Sequence, residues 1–330
     1  MDEMQKILNK IFFPSGTRKR EEFERNHKNL AYYTTAETAK KILDNNELWM
    51  RNASVMNDYS EIKFGIDRLR KLLFSIQPES LFFMIKESLN PDIFAIFCEA
   101  LDKFFSNQKL ESASWQFNTY ITCFTEHTEK ENRDGRLSMW RAYGGEDGVA
   151  VVFKKGLWFD RLACKNIWLS PVEYADEYEI VEKIKKIVNL LAEENEYLMS
   201  IYYGENGKKT IYNEFMWVLR FAAVSLKHPG FEEEAEWRLI AHGQDLEKDE
   251  DNFVSTSVRG VDQLVYKIKF EPSVMFDMID RILISPNVDL GIRNVKQKAF
   301  VRLVKDTFGV PKEEAEKKVC GSDIPYRPTL

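Results

Sequence analysis

The segment Phe231-Glu232-Glu233-Glu234-Ala235-Glu236-Trp237-Arg238-Leu239-Ile240 concentrates carboxylates beside a guanidinium and interleaves them with apolar residues. Read as a strand over 234–241, it puts Glu234, Glu236 and Arg238 on one face and Ala235, Trp237 and Leu239 on the other. Two carboxylates beside an arginine separate in their protonation behaviour, and such a pair can polarise hydroxyls or position a cationic ligand. The same row also describes a solvated, salt-bridged strand face. Tyr32 and Thr34, two apart, would share a face of an earlier strand, although both are simply good strand formers. Trp140 and Tyr143, three apart on a helical stretch, could make a stacking wall for a flat ring or could be plain core. Asn57 and Asp58 stand at a helix entrance, where an N-cap is the expected role.

Other reactive side chains offer less. Cys123 and His127 are four residues apart with no orienting group specified, and a buried strand thiol is the expected reading. The four cysteines, Cys98, Cys123, Cys164 and Cys320, form no Cys-x-x-Cys, and the four histidines, His27, His127, His228 and His242, form no His-Glu-x-x-His. Reduced thiols and no metal site are therefore expected. Gly144, Gly145 and Gly148 form no dinucleotide-binding fingerprint and precede a strand where that fingerprint needs a helix.

The elements that must position these groups follow from periodicity. Residues 1–29 read as a charged helical lead-in and 30–330 as a single α+β domain. Leu30 to Thr34 reads as a strand running into a helix, with Thr34-Thr35-Ala36-Glu37 as a capping-box pattern. Leu48 to Arg51, Tyr120 to Thr125, Val149 to Phe153, Ile167 to Tyr174, Gln263 to Phe270 and Ile282 to Ile284 read as further strands, with a helix over 290–305. Helical spacing dominates about 59–107 and 176–227, which read as insertions. Strands without a regular βαβ rhythm favour α+β over a doubly wound sheet.

The chain has 330 residues, 44% hydrophobic and 30% charged, enough for a substantial core. Its 47 basic and 53 acidic residues give a net charge of −6, which argues against sequence-blind attraction to nucleic acid. No apolar run approaches the roughly 20 residues of a membrane span, and the start, Met1-Asp2-Glu3-Met4, has no signal-like core. A cytoplasmic protein without membrane contact is expected.

Taken in order, several short motifs resemble the bacterial domain-of-unknown-function family 2971. They are the Tyr32-Tyr33-Thr34 strand with its helix, Leu48-Trp49, Asn57-Asp58 with Glu61, Cys123-Phe124-Thr125, Met139-Trp140 with Tyr143, Gly148-Val149, Glu234-x-Glu236-Trp237-Arg238 and Ile324-Pro325-Tyr326-Arg327. The arrangement is more distantly similar to the ADP-ribosyltransferase fold, a split, mostly antiparallel β-sheet with NAD in its cleft. That resemblance implies an NAD-consuming transferase, a toxin or defence effector acting on a protein or nucleic-acid acceptor. It implies that Tyr32 and Thr34 line the nicotinamide-ribose pocket and that Glu236 stabilises the developing oxocarbenium ion. Glu234 would orient or deprotonate the acceptor, with Trp49, Asn57, Trp140, Tyr143 and Arg238 as further contacts to NAD. Tyr32 stands where many such enzymes have His. The competing expectations are a catalytically inert nucleotide- or partner-binding module and a metal-dependent hydrolase or nuclease built on acidic residues such as Asp58, Glu61 and Glu234.

Overall fold

The computed structural model describes residues 14–26, 29–55, 59–74, 81–106, 118–144, 147–154, 162, 166–258, 260–286 and 289–325. The chain divides into two compact units, one of residues 1–22, 53–119 and 171–232, the other of 23–52, 120–170 and 233–330. Both stretches expected as helical insertions fall within the first. Strands are β1 (Asn29–Thr35), β2 (Glu47–Asn52), β3 (Thr119–His127), β4 (Gly148–Phe153), β5 (Trp168–Pro171), β6 (Glu173–Tyr174), β7 (Leu226–Lys227), β8 (Glu236–His242), β9 (Phe253–Val258), β10 (Val261–Lys269), β11 (Ile279–Ile284) and β12 (Val319–Gly321).

The second unit carries a ten-stranded sheet in the order β12-β11-β4-β1-β3-β2-β10-β9, and β8 pairs with both β3 and β5. Pairings β1–β4, β1–β3, β2–β3, β2–β10, β9–β10 and β4–β11 are antiparallel, whereas β11–β12 is parallel. The sheet forks at β3. Ala31, Leu30 and Asn29 of β1 pair with Thr125 to His127, while Arg51 and Asn52 of β2 pair with Ile121 and Tyr120. Beyond the fork, Tyr32 to Thr35 pair with β4, and Glu47 to Arg51 pair with β10.

Alternation sorts the side chains of this sheet onto two faces. One face builds the main core from Leu30, Leu48, Met50, Phe124, Val151, Phe153, Trp237, Leu239, Tyr266 and Ile282. It is covered by the helix Ala36–Asn45, through Ala39, Ile42 and Leu43, and by the helix Leu290–Phe308, through Phe300, Val301 and Val304. Thr35 caps the first of these helices by accepting from the Thr38 amide. Glu37 turns away to Lys41 Nζ at 2.7 Å, so the expected capping box is a simple N-cap. The opposite face holds a smaller cluster of Ala31, Tyr33, Met139, Trp140, Ala150, Val152 and Leu283. Gly148 to Phe153 are buried throughout, which is why that strand reads as an unbroken apolar run.

The first unit is mostly helical among its described residues and includes the short parallel pair β6–β7. Its helices Tyr59–Leu73, Pro91–Ser106 and Gly207–Ser225 bury Ile62, Ile66, Leu69, Phe97, Leu101, Phe104, Phe215 and Leu219. Gly65 lets two backbones meet, because a Cβ there would lie 2.2 Å from the Ala223 carbonyl oxygen. Among the described residues no helix is long and apolar enough to cross a membrane.

Candidate active site

The acidic row is broken before β8 begins. Pro229–Glu234 form a 3-10 turn, Ala235 takes a left-handed φ of 42°, and regular strand starts at Glu236. Strand alternation thus covers Glu236, Arg238 and Ile240 but not Glu234, which corrects the single row of three expected from the sequence. A left-handed alanine costs about 1–2 kcal/mol, so neighbouring contacts must hold it. One is direct, since the Glu126 amide of β3 donates to the Ala235 carbonyl at 2.9 Å.

Glu236 and Arg238 pair on one side of β8. Arg238 Nε donates to Glu236 Oε1 at 2.6 Å, and Arg238 Nη2 donates to Oε2 at 3.1 Å. The side chains are 6% and 0% exposed respectively. Trp237 and Leu239 lie in the main core, so alternation turns the Glu236–Arg238 pair to the face that also bears Tyr33 and Trp140. A carboxylate fixed by a two-point guanidinium contact is oriented as well as charged.

Arg136 ties the turn before β8 to β3. Its Nε donates to Glu131 Oε1 at 2.6 Å, and Nη2 to the Glu126 carbonyl at 2.8 Å. Nη1 faces Glu233 O at 2.8 Å, Thr125 Oγ1 at 3.0 Å and Glu234 O at 3.2 Å. The Thr125 hydroxyl itself donates to Glu234 O. Burial works against ionisation of Glu131, yet the Arg136 guanidinium and the Thr128 amide hold its carboxyl below the ordinary range. His127, buried and bonded through Nε2 to Asn132 Oδ1 at 3.1 Å, is pushed down by that burial despite the nearby Glu131 charge.

The aromatic residues sort by face. Tyr33 accepts a hydrogen bond from the Arg136 amide at 2.8 Å and meets Trp140 edge-on at 4.7 Å between ring centres. Burial pushes the Tyr33 hydroxyl well above the ordinary tyrosine range, so it stays protonated. Trp140 is fully buried, and its indole N–H donates to the Asp134 carbonyl at 2.9 Å. Its place is therefore that of a packed wall behind the site, and the stacking surface expected of it is covered by protein. Tyr143 remains exposed and donates to Glu234 Oε1 at 3.4 Å.

The remaining expected residues lie elsewhere. Tyr32 packs half-buried against the main core beside Phe124, with ring centres 5.7 Å apart. Thr34 shares that face by alternation. The structure does not bring Tyr32 and Thr34 to the face of Glu236; Tyr33, one residue between them, is there. Trp49 donates to Glu47 Oε1 at 2.7 Å and lies under the Lys267 amine, which itself bonds Glu47 Oε1 at 2.8 Å. Asn57 and Asp58 lie outside the described residues, as do Tyr326 and Arg327. Cys123 and His127 are four strand residues apart, about 13 Å at the strand rise, so they do not form a nucleophile–base pair. Among the described residues no group of three or more His, Cys, Asp or Glu could hold a metal ion. Arg136, Glu131 and Tyr33 were not singled out by sequence, and only the adjacency of Tyr33 to Tyr32 hinted at one of them.

A family model described as a protein of unknown function, DUF2971, matches residues 139–239. The family resemblance is shown over that stretch. The match begins at Met139, beside Trp140, and ends at Leu239 in β8. It thus contains Trp140, Tyr143, Glu234, Glu236 and Arg238, whereas Tyr32, Thr34, Trp49 and Asn57 fall before it. No curated protein and no solved structure matches the chain.

Proposed function

We propose that the protein is an NAD-consuming, ADP-ribosyltransferase-like enzyme that uses the Glu236 face of its forked sheet. The single observation that carries the reading is the buried, arginine-oriented carboxylate at the start of β8, with the exposed Tyr143–Glu234 pair beside it. In this reading the fork at β3 corresponds to the split sheet of that fold. Breaking the N-glycosidic bond sends its electron pair out with nicotinamide and leaves positive charge on the ribose. Glu236 would stabilise that charge and hydrogen-bond a ribose hydroxyl, a fixed carboxylate needing no reorganisation as the charge develops. Glu234 would take the proton from the acceptor nucleophile as the new bond to the anomeric carbon forms. Tyr33, on the same face, supports that face from behind, where Tyr32 and Thr34 had been expected to contact the ligand. The acceptor is a macromolecule, protein or nucleic acid.

A second reading is favoured by a specific contact. Both Glu236 oxygens face Arg238 and the side chain is 6% exposed, which suits an inert nucleotide- or partner-binding module. The two readings separate in one assay. The protein is incubated with NAD and, separately, with protein, RNA or DNA acceptors, and free nicotinamide is measured. The transferase reading expects release that falls by about 10²–10³-fold in Glu236→Gln, with Glu234→Gln reducing acceptor modification and thermal melts confirming that both variants are folded. Saturable NAD binding without release, or release that survives in folded Glu236→Gln, would overturn it.

A further inference from the structure

We infer that Arg136 is a positioning residue that holds the Glu233–Ala235 turn and thereby places Glu234 and Glu236, and this rests on the reading of the Glu236 face given above. Its guanidinium has five N–H donors, and every one of its nitrogens faces a protein acceptor. Those acceptors come from three separate places: Thr125 and Glu126 at the end of β3, Glu131 in the following 3-10 turn, and the carbonyls of Glu233 and Glu234. With its side chain 16% exposed and its donors so directed, Arg136 acts through its neighbours and not by touching a ligand.

The geometry explains why the residue is arginine. A planar fork can reach Glu131 on its Nε edge while Nη1 and Nη2 address two different strands' ends, and a lysine ammonium, a single point with no plane, cannot span them. The two carbonyls it grips immediately precede Ala235, whose left-handed φ of 42° turns the chain from the 3-10 turn into β8. The Glu126 amide closes the same loop on the far side through the Ala235 carbonyl. Strain of this kind persists where surroundings over-determine the backbone. Releasing the fork lets the turn relax and moves both carboxylates, Glu234 directly and Glu236 through the peptide that follows Ala235.

The test compares the 330-residue wild type with Arg136→Lys and Arg136→Ala, and with Arg141→Lys as a control at an exposed position of the helical segment Trp140–Gly144. Amide hydrogen exchange is read at Glu126, whose bond to Ala235 O reports the turn, and along the β1–β4 ladder, which reports the sheet. The expected result is exchange at Glu126 faster by at least about tenfold in both Arg136 variants, with the β1–β4 ladder as protected as in wild type. On nicotinamide release the expected result is a fall in kcat of about 10²-fold with KM within about threefold, because a misplacement of about 1 Å in a catalytic group costs that much. Unchanged protection at Glu126 overturns the inference, as does an unchanged kcat in folded Arg136→Lys. Should the wild type release no nicotinamide, the functional reading fails by itself, and the Glu126 exchange still decides whether Arg136 holds the turn.

Discussion

Replacing Glu236 by leucine removes both carboxylate oxygens from a guanidinium that has no exposed surface, and the cost follows from that geometry. With charge centres about 4 Å apart and an effective dielectric near 20, the lost attraction is about 4 kcal/mol. That agrees with the roughly 3–5 kcal/mol typical of leaving one buried partner behind. Arg238→Met is expected to cost a similar amount by removing the two-point guanidinium contact from a buried carboxylate. The double replacement removes both charges and fills their volume, so its cost is expected to be far below the sum of the singles, with a coupling of about 3–4 kcal/mol. The assay is urea denaturation of all four proteins at neutral pH, followed by far-ultraviolet circular dichroism and by tryptophan fluorescence in parallel. Single and double effects that add to within about 0.5 kcal/mol would refute the argument, because they would mean that the two groups do not depend on each other. Since a domain is stable by only about 5–15 kcal/mol, the result also decides whether activity lost in a Glu236 variant can be assigned to chemistry. Glu236→Gln, which keeps an acceptor for Arg238, is for that reason the variant suited to kinetics.

Ala235→Gly should raise stability by up to about 1 kcal/mol, because glycine removes the left-handed penalty and gives back part of it in the unfolded chain; a lowered melting point would contradict the assigned backbone. Gly135→Ala should be clearly destabilising, since φ is +69° and the new methyl would lie 2.9 Å from both Tyr33 OH and Trp140 Nε1, and loss of the near-ultraviolet tryptophan signal would report it. Trp140→Ala should cost about 3–5 kcal/mol through the cavity it leaves, measurable by denaturation. Acid should destabilise the fold in two stages, because His127 and Glu131 both bind protons more weakly folded than unfolded. The His127 share is intact above its ordinary value of 6.5 and drains as pH falls through its lowered folded value. The Glu131 share is intact above 4.5 and is lost below. Melting points of His127→Gln across pH 7.5 to about 2.5 should therefore lose the upper stage and keep the lower.

Much of the sheet is legible in the sequence because its central strands are apolar in a simple way. Val149 to Phe153 is buried on both sides, and Trp237 and Leu239 alternate into the core. The edge was not legible: Phe253 to Val258 is a strand whose residues are half-buried or exposed, so Ser255, Thr256 and Ser257 give no apolar signal. Alternation also states that Tyr32 and Tyr33 point opposite ways without saying which one meets Glu236. That choice is made by Trp140 packing on Tyr33 and Phe124 packing on Tyr32, contacts made from distant parts of the chain. The break between Glu234 and Glu236 is not legible because Ala235 carries no composition cue for its left-handed backbone, a conformation usually signalled by Gly or Asn. Arg136 left no trace in local spacing, since two of its acceptors stand 97 and 98 residues away.

That separation sets a timetable for synthesis. β3 is complete at His127, but β8, which pairs with it, begins at Glu236. At about 5–20 residues per second, the edge of β3 that takes β8 therefore waits roughly 5–20 s for its strand, with the Thr125 hydroxyl and the Arg136 fork ready before the carbonyls they hold exist. A nascent chain in that interval presents an unpaired strand edge, the usual template for mispairing, so slowing translation between 127 and 236 should lower soluble yield, and speeding it should raise yield, without any change in the finished protein.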